Sequence, residues 1–200
     1  MIITIAGLAG SGKSTLAKNL AMALKMKHYS AGDFMRQIAR ERGVSLLQLH
    51  EVMETDSSID REIDLRTTKL ARKKRDFIID GRVAWHFIPG SVKIFVKIGL
   101  RTAAERVFSD MREGERENSS VAQTMRNMRK RNEMNGKRYK KQYGVDYLDE
   151  KNYDIIVDTT KMGIAETTRK VIKEIKKISG KKPELPGGQK KGCFNRGKHL

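Results

Sequence analysis

The stretch Gly7-Leu8-Ala9-Gly10-Ser11-Gly12-Lys13-Ser14 fills every fixed position of the pattern G-x-x-x-x-G-K-[ST]. Its residue types suit the binding of phosphate. Glycines let the backbone turn tightly enough to aim several N–H groups at one anion. A helix that opens directly afterwards adds the positive end of its dipole. Lys13 would reach the outer phosphates, and the Ser14 hydroxyl would help hold Mg²⁺. An apolar, strand-like run from Met1 to Ala6 precedes the loop, and a helix-like run from Lys13 to Lys25 follows it. That context separates a phosphate loop from an ordinary glycine turn.

A phosphate loop alone specifies only a nucleotide-binding machine. Ser30-Ala31-Gly32-Asp33-Phe34-Met35-Arg36 narrows it. Gly32 allows close backbone approach. Arg36 falls about one turn into a helix, where a guanidinium can grip a phosphate with two hydrogen bonds, or simply stand exposed. Asp33 could orient Mg²⁺ waters or favour the helix start. Ile78-Ile79-Asp80-Gly81-Arg82 ends a strand, and ligands bind at the carboxyl ends of parallel strands. Asp80 is flanked by apolar residues, so its burial calls for Mg²⁺ or the Ser14 hydroxyl. Arg82 would add a second cation for an acceptor phosphate, or else form a surface salt bridge. Arg126 to Lys141 holds eight basic residues and one acid. Read as a helix, it puts Arg131, Asn135 and Arg138 on one face, fit for a ribose and phosphates, for RNA, or for water alone. Trp85 could stack on a base or fill the core.

Five apolar runs must position these groups. They are Met1–Ala6, His28–Ser30, Phe77–Asp80, Val92–Ile98 and Tyr153–Asp158. Helical stripes separate them: Leu16, Leu20, Ala23 and Leu24; Ala104, Val107, Phe108 and Met111; Val171, Ile175 and Ile178. Ser45 with Gln48 and Ser120 with Gln123 have the spacing of capping boxes. Strands alternating with helices predict an α/β fold whose parallel sheet is covered on both faces.

Two hundred residues suit one such domain with a tail. Cys193 is the single cysteine, which rules out an intrachain disulfide framework and fits a reducing cytoplasm. The first apolar run is too short for a signal sequence or a membrane span. The net charge of +18 implies attraction to polyanions such as nucleotides, RNA or ribosomes, and a basic, solvated surface would look the same. Residues 179–200 carry Pro183, Pro186, a Gly187-Gly188 pair and six basic residues against one acid, with Phe194 as their single aromatic. They lack a periodic stripe and read as a disordered basic tail, either tethering RNA or merely solvated.

Together these residues resemble the cytidylate kinases, particularly the short archaeal type, from Met1 to about Ile178. The Ser30-Ala31-Gly32 element with Arg36, the stretch Ser58-Ile59-Asp60-Arg61-Glu62-Ile63-Asp64, the Asp80-Gly81-Arg82 strand end and Arg138-Tyr139-Lys140-Lys141-Gln142-Tyr143-Gly144-Val145-Asp146 carry the likeness. The resemblance implies a three-layer fold with a five-stranded parallel sheet and a small arginine-bearing lid. It implies an ATP site at Gly7, Leu8, Ala9, Gly10, Ser11, Gly12, Lys13, Ser14 and Thr15, with Ser14 and Asp80 holding Mg²⁺. Ser30, Gly32, Asp33, Arg36, Gly81, Arg82, Asn135 and Arg138 would bind the acceptor, CMP or dCMP, in a region of about 30–70. A lid over about 112–120 would bring Arg112 and Arg116 to the moving phosphate, joined by Arg131 and Lys13. Two positions depart from the family: Asn135 stands where an acid is usual, and the arginine expected near Ala103 leaves only Arg106. The expected product is a cytoplasmic, monomeric kinase. An adenylate-type kinase with another acceptor base, or a ribosome- or RNA-associated ATPase on the same scaffold, are the alternatives.

Overall fold

The structure, a computed structural model, describes residues 1–110 and 119–180, with residues 46, 47, 50 and 54 described by backbone alone. Alternating strands and helices run β1 (Ile2–Gly7), α1 (Lys13–Leu24), β2 (Lys27–Ser30), α2 (Ala31–Glu41), α3 (Leu46–Thr55), α4 (Ser58–Lys73) and β3 (Phe77–Asp80). Then follow α5 (Ala84–Phe87), β4 (Val92–Lys97), α6 (Leu100–Ser109), α7 (Val121–Tyr143), β5 (Ile155–Asp158) and α8 (Ile164–Gly180). The strands form one parallel sheet in the order β2-β3-β1-β4-β5. All five expected strands are present, within about two residues of the expected ends.

Alternation along each strand sorts side chains to two faces. Ile3, Ile5, Ile78, Ile94, Val96 and Val157 pack against Leu16 and Leu20 of α1 and Val171 and Ile175 of α8. On the opposite face, Ala6 and Phe95 meet Trp85 and Tyr153, while Phe77 and Ile79 meet Ala84 and Ile88. Trp85 is therefore a core residue, 7 % exposed, and its indole N–H donates to the Arg82 carbonyl at 3.2 Å.

Some helical details differ from the pattern in the sequence. The buried stripe of α1 is Leu16, Ala17, Leu20 and Ala21, whereas Ala23 is exposed. Small residues facing the sheet let the helix lie close, a preference that a hydrophobicity pattern does not register. Ser45 and Gln48 form a reciprocal capping box. Ser120 caps the Gln123 N–H at 3.2 Å, but the Gln123 side chain turns to Asn127 and Arg126 instead of closing the box. Helix α8 continues through Ser179 and Gly180, two residues past the expected domain end. Met111 of the second stripe and residues 181–200 lie outside the described residues.

Register places the chemistry. Ile5 and Ser30 both pair with Asp80, and Gly7 pairs with Val96. The carboxyl ends of β1, β2 and β3 thus lie side by side. From β1 the chain moves outward to β2, while from β3 it crosses to β4 on the other side of β1. Ligand crevices of open α/β sheets form at such a reversal.

Candidate active site

The loop between β1 and α1 is built as its glycines require. Gly10 has φ +73°, and a Cβ there would lie 2.5 Å from the Ala103 carbonyl oxygen. Ala103 is fully buried against this turn, so the position where an arginine was expected nearby is a packing position here. Helix α1 begins at Gly12 with no side-chain cap, which leaves its first N–H groups available to an anion. Lys13 and Ser14 open the helix, and Thr15 follows on its exposed side.

Asp80 is 3 % exposed. It accepts from the Ser14 hydroxyl at 2.8 Å and contacts His28 Nε2 at 2.6 Å. The Ser14 partner was expected from the sequence. The His28 contact was not, because a lone histidine in a four-residue strand gives no signal until register sets it beside Asp80. A hydroxyl and a carboxylate oxygen are hard donors that suit a magnesium ion. Among the described residues no group of three or more His, Cys, Asp or Glu side chains gathers to hold a metal. The Ser14–Asp80 pair therefore fits an ion that shares its remaining ligands with a nucleotide and water.

Beside this pair, Gly81 is buried so tightly that a Cβ would lie 2.9 Å from Ala31 Cβ, at the start of α2. The Ser30–Arg36 element and the Asp80–Arg82 strand end therefore meet. Ser30 caps α2 by accepting from the Gly32 N–H at 3.2 Å. Asp33 lies in the first turn of α2 and is ion-paired with Arg36, the plainer of the two readings for Asp33. Arg36 stays 45 % exposed in that pair.

Arg82 is half-buried, and its Nε is buried with no hydrogen-bond partner among the described residues. It forms no surface salt bridge, which removes that reading. The fully buried Tyr147 hydroxyl, also without a hydrogen bond, lies in the field of both Arg82 and Arg131. Burial raises its pKa, and the two cations oppose that rise. Arg82 and Arg131 therefore converge although 49 positions separate them. On the same face of α7, the buried Asn135 accepts from an Arg138 N–H at 3.1 Å and leaves its own Nδ2 unpaired. Arg138 Nε lies 3.2 Å from Asp60, close enough for an ion pair but not aligned for a hydrogen bond. Arg112 and Arg116 lie outside the described residues.

The loop's other flank holds a cavity of about 240 Å³ lined by Ser11, Gly12, Thr15, Arg106, Thr159 and Met162, among others. Arg106 donates to the Thr159 carbonyl at 2.8 Å, and the Thr159 hydroxyl donates toward the Ser11 carbonyl at 3.0 Å. Thr159 thereby ties the end of β5 to the loop. Sequence reasoning missed it, since an isolated threonine after a strand carries no motif.

Comparison with known proteins agrees with this arrangement. Residues 2–161 match the cytidylate kinase-like family. The chain is 40% identical over 162 residues to the cytidylate kinase of Pyrococcus abyssi, covering 80% of this chain and 86% of that one. It is 37% identical over 180 residues to the cytidylate kinase of Methanocella arvoryzae, covering 88% of this chain and 99% of that one. Among solved structures, an uncharacterized protein from Eubacterium ventriosum superposes with a TM-score of 0.65 at 23% identity, covering 88% of this chain and 98% of that one. Shikimate kinase from Bacteroides thetaiotaomicron gives 0.61 at 11% identity over 88% and 98%, a likeness of fold alone. With a matching family over four-fifths of its length and a phosphate loop, strand ends and arginine face in one crevice, this chain belongs to the cytidylate kinase-like family.

Proposed function

We propose that the protein is a cytidylate kinase, transferring the γ-phosphoryl group of ATP to CMP or dCMP to give ADP and CDP or dCDP. The observation that carries this reading is Arg82. A half-buried guanidinium without a partner, two residues beyond the Ser14–Asp80 pair, is a cation waiting for an anion. A phosphate loop needs no such second cation to bind ATP alone.

The chemistry asks for positioning and charge neutralisation. An oxygen of the acceptor phosphate attacks the γ-phosphorus, and the bond from γ-phosphorus to the β–γ bridging oxygen breaks. The electron pair stays on ADP. The acceptor is already an anion, so no general base is needed. The loop N–H groups and Lys13 hold the β- and γ-phosphates of ATP. Arg36, Arg82 and Arg138 hold the acceptor phosphate, Asn135 accepts or donates at its ribose, and Arg131 with Arg112 and Arg116 closes over the moving group. Ser14 and Asp80 would hold Mg²⁺, which supplies positive charge to the nucleotide phosphates. The adenine of ATP takes the cavity between the loop and α8, where Thr15, Arg106 and Met162 line its wall.

A kinase of this kind works as a monomer in a reducing cytoplasm, consistent with the single Cys193. Among the described residues no helix is long and apolar enough to cross a membrane. The deciding assay couples ADP formation to CMP, dCMP, UMP, AMP and GMP in parallel, with a no-acceptor control. ADP formed chiefly with CMP or dCMP supports the reading. ADP formed equally without acceptor, or only once RNA is added, refutes it in favour of an RNA-linked ATPase.

A further inference from the structure

The acceptor crevice has a chemical polarity along α7. Its cationic and donor groups, Arg131, Asn135 and Arg138, lie toward the phosphate loop end. One turn further, Gln142 Oε1 is buried with no hydrogen-bond partner among the described residues. Opposite it on α4, Asp60 and Asp64 lie four residues apart and so share a helix face. Both touch α7. Asp60 faces Arg138 at 3.2 Å and Gln142 Nε2 at 3.5 Å. Asp64 accepts from the Tyr143 hydroxyl at 2.5 Å through Oδ2. Its Oδ1 takes no hydrogen bond among the described residues.

Asp64 is only partly buried, so this oxygen has a route to a ligand. Beside it stands an aromatic group. The Tyr143 ring lies 5.3 Å from the Phe87 ring and 5.7 Å from the His86 ring. Flat apolar faces next to unpaired acceptors form the usual recognition set for a heterocyclic base. A nucleoside monophosphate has an anion at one end and a base at the other, and the crevice has cations at one end and acceptors at the other.

The acceptors select among bases. Cytosine presents an exocyclic amine, a donor, where uracil presents a carbonyl, an acceptor. An acceptor-rich wall pairs with the first and repels the second. A site built to hydrogen-bond a substrate N–H discriminates strongly against the analogue that lacks it. We propose that Asp64, held in place by the Tyr143 hydroxyl, reads the acceptor base by accepting a hydrogen bond from the exocyclic amine of cytosine through Oδ1. This rests on the kinase reading above and deepens it, because nothing in the phosphate loop or the arginines distinguishes one base from another.

The test uses three acceptors with the full-length protein: CMP, UMP, and the 5′-monophosphate of the pyrimidin-2-one riboside, which is CMP without its amine. The wild-type protein should favour CMP over both others by about a hundredfold in kcat/KM. Asp64→Asn turns an amide N–H toward the ring, since its carbonyl oxygen takes over the Tyr143 bond. It should cut the preference for CMP over UMP by about tenfold or more. Turnover of the amine-free analogue and the KM for ATP should stay within about twofold of wild type. Tyr143→Phe keeps the carboxylate but frees it, and should lose CMP preference by a smaller factor. Circular dichroism and thermal melts confirm folding of each variant. Equal losses on all three acceptors, or an unchanged CMP/UMP ratio in a folded Asp64→Asn variant, overturn the proposal while wild-type CMP turnover keeps the kinase reading. Absence of turnover on every acceptor with the wild-type protein overturns both.

Discussion

Arg82→Met separates the cost of the site from its use. The wild-type guanidinium has a buried Nε with no hydrogen-bond partner among the described residues. A buried donor left unpaired costs about 1–3 kcal/mol, and more when it is charged. Methionine keeps much of the apolar stem and fills similar space, while removing the charge and the orphaned donors. The unliganded variant should therefore be more stable by about 1–3 kcal/mol. For a domain of this size each kilocalorie moves Tm by about 2–4 °C, so the shift should be several degrees upward. Activity should move the other way. One fixed donor aimed at the reacting phosphates contributes about 10²–10³ in rate, so kcat/KM for CMP should fall by that factor. Two assays read the pair: a thermal melt without nucleotide, and coupled ADP formation with CMP. Melting with saturating CMP adds a third, since CMP should raise the Tm of the wild type more than that of the variant. A variant that melts lower than wild type and turns over near-normally would show that Arg82 serves packing, and the reasoning would fail.

The other predictions concern the loop and the acids. Lys13→Ala should lower turnover by about 10²-fold or more with an unchanged circular dichroism spectrum, because it removes charge from the transferring group. His28→Phe removes the 2.6 Å contact to Asp80 and should raise the Mg²⁺ concentration needed for half-maximal turnover by about 10-fold or more. Arg106→Met breaks the bond to the Thr159 carbonyl, so the KM for ATP should rise several-fold while the KM for CMP stays constant. Burial lifts the Asp64 pKa to about 7, against its Tyr143 bond and with help from Asp60. The folded protein then holds a proton that the unfolded chain has released, so stability contributed by neutral Asp64 is present at low pH and is lost as pH rises from about 4 to 7. Urea melts across that window should show a downward slope of at most ~1.4 kcal/mol per pH unit from this group, flattened in Asp64→Asn. An identical pH profile for both proteins would refute the assignment.

The sheet was legible because its signal is local. Ile2 to Ala6 and Phe77 to Ile79 are apolar runs bounded by turn residues, and such runs must be buried strands whatever lies elsewhere. The phosphate loop was legible for the same reason, since Gly10 and Gly12 take positive φ values within one turn of chain. Arg82 and Asp80 were legible as strand-end residues. The contacts missed are of another kind. His28 meets Asp80, Thr159 meets Ser11, and Asp64 meets Tyr143, across 52, 148 and 79 positions. Each involves an unremarkable residue whose partner is set by register or by helix packing. The one-sided cap at Ser120 belongs here too, because Gln123 chooses between two bonding partners of similar strength.

The sequence by itself determined the class of chemistry: a strand, a glycine loop with Lys13 and Ser14, and arginines at later strand and helix ends commit the chain to phosphate. Those are properties of residue type and short spacing, which survive in any arrangement of the rest. Only the tertiary structure decided which cation lacks a partner, which flank of the loop is hollow, and where the acceptors gather. Pairing is a property of space, since a guanidinium is free or bound according to what the fold brings within 3 Å or so of it. Arg36, Arg82 and Arg138 look alike in the sequence. In the fold the first is paired with Asp33 and the third with Asp60, and Arg82 keeps an unpaired, buried Nε beside the metal-binding pair.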